Sequence, residues 1–124
     1  MTPAELLARA RALVAHPSPG TTGLWPRAAA LLARQAIETG MNQLWAARAP
    51  GVQTLTARAQ LTCLPEYLRD ERLAGEVAFA WGRLSDACHH HAYDLGPTAA
   101  ELEARFAVVD RLLARLAVAA AGPG

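Results

Sequence analysis

Asp70-Glu71-Arg72-Leu73-Ala74-Gly75-Glu76-Val77-Ala78-Phe79-Ala80-Trp81-Gly82-Arg83-Leu84-Ser85-Asp86-Ala87-Cys88 decides the fold. Leu73, Val77, Trp81, Leu84 and Cys88 recur at spacings of four, four, three and four, which is the period of one helix face. Asp70 and Glu71 place carboxylates where a helix presents its positive end. The pattern predicts a helix from about Glu71 to about Asp94, closed by Gly96-Pro97.

Outward from this helix the chain reads as four more. Thr2-Pro3-Ala4-Glu5 combines a threonine cap, a proline in the first turn and a glutamate three residues after the cap. That first helix stops near His16, because Pro17-Ser18-Pro19-Gly20 cannot continue it. Trp25-Pro26 opens a second helix running to about Arg48, closed by Pro50-Gly51. A third, shorter helix is expected over Thr54 to Leu64, ended by Pro65. Thr98-Ala99-Ala100-Glu101 repeats the capping signal and starts a fifth helix that runs to about Ala121. The expectation is all-α: one domain, residues 1–124, folded as an antiparallel bundle of about five helices.

Composition agrees. A chain of 124 residues makes one domain and can bury roughly two-thirds of its unfolded surface. Hydrophobic residues make up 52%, many of them alanine, and strand-forming residues are scarce. The net charge of +1 gives no whole-molecule attraction to nucleic acid, so any such contact must use a local patch. Every fixed positive charge is an arginine. The N-terminal residues lack a basic segment followed by an apolar core. No uncharged apolar run reaches the roughly 18 residues that span a bilayer. A cytoplasmic protein with no membrane partner is expected, with Cys63 and Cys88 as packed, free thiols.

Chemistry concentrates at the end of the fourth helix. Arg83 precedes Asp86, His89, His90, His91 and Tyr93. Arginine is always charged and matches phosphate geometry, and histidine exchanges a proton near neutrality. At about 100° per residue, Arg83 and His90 share a face with Phe79, Gly82, Asp86 and Tyr93, while His91 falls on the core stripe. Gly75 and Gly82 would let a second copy of this helix approach closely. The same residues also fit plainer roles. Arg83 and Asp86 could form an exposed pair contributing a few tenths of a kcal/mol. Histidines favour the negative end of a helix dipole, and His91 could be a core residue. Three adjacent histidines point in three directions, so no metal site is expected, and no cofactor. Arg34 and Glu38, four apart on the second helix, read as a salt bridge.

Trp25 to Ala36, Cys88 to Leu95 and Pro97 to Leu102 together resemble the HEPN superfamily of small helical domains. The likeness is narrowest to compact, alanine-rich actinobacterial members. The shared pattern is an arginine followed, after four to six residues, by a histidine. Arg83 satisfies it with His89 and with His90. His91-Ala92-Tyr93 matches the ending of a stricter branch, although Asp86 stands where a full match has arginine. The resemblance implies a metal-independent endoribonuclease of toxin or defence type, built as a homodimer through the fourth helix. In that reading the histidine moves protons at the 2′-hydroxyl and the arginine holds phosphoryl oxygens. RNA is the implied substrate and an antitoxin protein the implied further partner. The alternative is a non-catalytic module binding RNA, a nucleotide or a protein through the same face.

Overall fold

Side-chain caps start four of the five helices. In the computed structural model, which describes residues 1–16, 24–89 and 96–122, Thr2 Oγ1 accepts the Glu5 N–H at 3.1 Å and opens α1, Pro3–Ala15. Thr56 Oγ1 accepts from Ala59 to open α3, Ala57–Leu68. Asp70 Oδ1 accepts from Leu73 to open α4, Glu71–Cys88. Thr98 Oγ1 accepts from Glu101 to open α5, Ala99–Ala120. Each such cap satisfies an amide the helix cannot pair itself, and losing one costs about 1 kcal/mol. α2, Trp25–Arg48, begins without a side-chain cap and has proline in its first turn instead. Among the described residues the chain is all-α, and no helix is long and apolar enough to cross a membrane.

α2 is the central element, packed against α1, α4 and α5. Its inner face is mostly alanine: Ala29, Ala30, Ala33 and Ala36 are all fully buried, as is Ala10 of α1. Lower down it carries Ile37, Met41, Leu44 and Trp45, which meet Phe106, Val109 and Leu112 of α5 in one core cluster. Each large side chain of this kind contributes roughly 1.5–3 kcal/mol by leaving water. Gly40 marks the closest approach of α2 to α5. A Cβ there would stand 2.9 Å from Leu116 Cδ1 and 3.2 Å from Leu113 Cδ2.

Three expectations are corrected. α3 begins at Ala57 rather than Thr54, because Val52–Thr54 form a separate 3-10 turn. It also continues through Pro65 to Leu68. An interior proline costs about 3 kcal/mol, and burying Leu64 and Leu68 on the side of Leu61 offsets that cost. Arg69, left-handed at φ 55°, then closes the helix by donating its N–H to Pro65 O at 3.0 Å.

α4 ends at Cys88, not near Asp94. The His89 N–H turns back to Asp86 O at 3.1 Å, tightening the last turn. His89 leaves helical geometry at φ −103° and ψ 16°, and histidine has weak helix propensity. His90, His91 and Tyr93 lie outside the described residues.

The third correction is rotational. The fully buried face of α4 combines Leu73, Val77 and Leu84 with Ala74, Ala80 and Ala87. Trp81 and Cys88 sit half-buried at its edge.

Candidate functional site

Arg83, Asp86 and His89 are all exposed at the upper end of α4. Their helical positions put Asp86 between the other two, about 60° from each. Arg83 and His89 therefore diverge by about 120°. The 83/86 ion pair does not form: among the described residues Arg83 makes no hydrogen bond or salt bridge. Its guanidinium is presented to solvent with its donors open.

The rest of that face is equally open. Phe79 is 58% exposed, and the Arg105 guanidinium lies over its ring, 5.0 Å from the centroid. Nothing lies within 4 Å of a Cβ built on Gly75 or Gly82. Phe79, Arg83, Asp86 and both glycines fall within about 100° of arc, so one helix face carries an aromatic, a cation, a carboxylate and two bare stretches of backbone.

Toward the bundle interior the surroundings change. Burial raises the Cys88 thiol above the ordinary thiol range, and the nearby Arg34 and Arg27 partly offset this. Both arginines come from the first half of α2. Arg34 Nε stands 3.8 Å from Glu38 Oε1, so the expected pair is present at ion-pair range and is half-buried. Arg34 Nε, Trp81 Nε1 and Ser85 Oγ are buried and lack a hydrogen-bond partner among the described residues. Arg27 and Arg34 of α2 thus stand near the end of α4, while Arg83 lies on its outer face.

The sequence reading placed Arg83 on a free face and singled out Arg34. It did not bring Arg27 or Arg34 to Cys88. Their spacing of seven, which puts two residues on one side of a helix, was the available signal. Among the described residues no group of three or more histidine, cysteine, aspartate or glutamate side chains is arranged to hold a metal ion. No protein-family model, curated protein or solved structure matches the chain.

Proposed function

We propose that the protein is an HEPN-like helical module that engages RNA through the exposed end of α4. The observation supporting this is the exposed Arg83 guanidinium, which has no acidic partner among the described residues, on the helix end that also exposes His89. An exposed arginine can take a phosphate bidentately, and the helix fixes its position relative to His89. Asp86 limits how many phosphates the face accepts, which favours a single-stranded or looped RNA over a long duplex track.

Cleavage is the second reading. It draws on the open arc of Phe79, Gly75 and Gly82 beside Arg83, which would fit a second copy of α4 about a two-fold axis. Such a dimer would bring two copies of Arg83 and His89 together, compensating for their divergence in one chain. The histidine would then act as general acid or base toward the 2′-hydroxyl without a metal. An antitoxin protein would cover the same face.

Fluorescence anisotropy with a labelled single-stranded RNA tests the first reading. Arg83→Ala is expected to weaken binding about tenfold, as for loss of a charge-assisted contact. Equal binding by wild type and variant would remove the proposal. The same RNA incubated in EDTA tests the second. Fragments ending in a cyclic phosphate, lost with His90→Ala, would establish the nuclease; intact RNA with retained binding would leave the module non-catalytic.

A further inference from the structure

At the opposite end of the bundle a cleft of about 390 Å³ opens between the last turns of α2, α3 and α5. Arg48, Glu66, Tyr67, Arg69, Arg115 and Gly122 line it. Three guanidiniums reach it from three separate segments. Arg48, the last residue of α2, donates from Nη1 to Ala119 O at 2.9 Å. Arg115 of α5 donates from Nε to Leu68 O at 2.8 Å. Arg69 follows α3 and makes no side-chain hydrogen bond or ion pair among the described residues.

Capping of helix ends accounts for part of this. The C-terminal carbonyls of α2, α3 and α5 are where an arginine is favoured, and each end carries roughly half a negative charge. Glu66 adds one more. Three guanidiniums exceed that total by about half a unit, and none of them forms a salt bridge among the described residues. The adjoining surface behaves differently: Arg72 and Arg111 both pair with Glu76, at 3.4 and 2.6 Å. Arg69 stands out further, because it is the one described non-glycine residue with positive φ. Glycine is favoured at such a helix end, so arginine here carries a backbone cost.

Binding does supply a reason for it. Arg48 and Arg115 are each anchored by one nitrogen, which fixes their position and leaves further N–H donors available. Tyr67 is held edge-on against the buried Trp45, with ring centroids 5.3 Å apart, and forms a rigid apolar wall. The volume lies in the range of small-molecule sites. We propose that this cleft binds a small phosphorylated molecule, its phosphate held by Arg48, Arg69 and Arg115. The site is independent of the face at the end of α4.

Isothermal titration with AMP and with pyrophosphate tests this. Saturable binding of at least one of them, at one site per chain, is expected. Arg69→Gly should weaken it tenfold or more, with a melting temperature at or above that of wild type because glycine relieves the left-handed backbone. Arg115→Gln should weaken it similarly, whereas Arg9→Gln, an equal change of charge on exposed α1, should not. Three results would overturn the proposal: no saturable binding at millimolar ligand, equal weakening by Arg9→Gln, or undiminished binding by Arg69→Gly. Binding of RNA alone, lost in Arg69→Gly, would also overturn it and make the cleft a second RNA contact.

Discussion

Replacing Gln60 by leucine is expected to be among the most damaging conservative changes in the molecule. Gln60 is only 7% exposed, and Trp45, fully buried, donates its indole N–H to Gln60 Oε1 at 2.9 Å. Gln60 Nε2 in turn donates to Leu55 O at 2.9 Å and to Gln53 O at 3.3 Å, tying the 3-10 turn to α3. Leucine keeps most of the volume and removes every one of these bonds. The orphaned indole costs about 1–3 kcal/mol, and the two loop carbonyls, which water can partly reach, about 0.5–1 kcal/mol each. Added apolar burial returns about 1 kcal/mol, for a net loss of roughly 2–3 kcal/mol. With unfolding entropy near 2.1 cal/mol/K per residue, a chain of this length should melt about 10 °C lower. Thermal denaturation by circular dichroism measures this directly. Combining Gln60→Leu with Trp45→Phe removes donor and acceptor together, so the double variant should recover at least about 1 kcal/mol relative to the sum of the singles. A shift of only 1–2 °C, or strictly additive losses, would refute the reasoning.

Two further outcomes follow from packing and burial. Gly40→Ala should be less stable than Gly75→Ala. Both gain up to about 1 kcal/mol of helix propensity, but the new methyl at residue 40 meets Leu116 and Leu113 while that at residue 75 meets open space. Urea unfolding at low protein concentration should show Gly75→Ala more stable than wild type by about 0.5–1 kcal/mol. Gly40→Ala should be level with it or below, since overpacking costs about 1–3 kcal/mol. For Cys88, burial raises the thiol, so the native state holds the proton more tightly than the unfolded chain. Its contribution is complete below the ordinary thiol pKa of about 8.5 and declines as pH rises through the higher native value. Urea midpoints should fall between pH 8 and pH 10 more steeply in wild type than in Cys88→Ala; parallel curves would contradict the assignment.

Much of the bundle could be read from residues that act locally. Thr2, Asp70 and Thr98 announce their helices because a cap bonds an amide only three residues away. Pro65 misled for the opposite reason: its local penalty is real, but the burial of Leu68 that outweighs it depends on α4 and α5. Trp81 and Cys88 were placed on the core stripe by their spacing. The actual inner face of α4 is set by Ala74, Ala80 and Ala87, which matter only because neighbouring helices come close. At the candidate site the exposure of Arg83 was legible from its helical angle, whereas the end of α4 at Cys88 was not. The cleft of Arg48, Arg69 and Arg115 left no trace in the sequence, since its members share no period and meet only in the folded chain.

The alanine lining of α2 has a consequence for how this chain tolerates change. An alanine interior freezes almost no side-chain rotamers on folding, so little entropy is lost per residue buried. It also leaves no long side chains to shift aside when volume is added. Most proteins are damaged chiefly by holes in the core. Along Ala29, Ala30, Ala33 and Ala36, all fully buried, there is little to hollow out, and an extra methyl group would have to find room in a closed interior. Drift in this molecule is therefore hemmed in from the large side: its interior can exchange small residues for one another, and every larger residue must be met by a retreat across the helix pair.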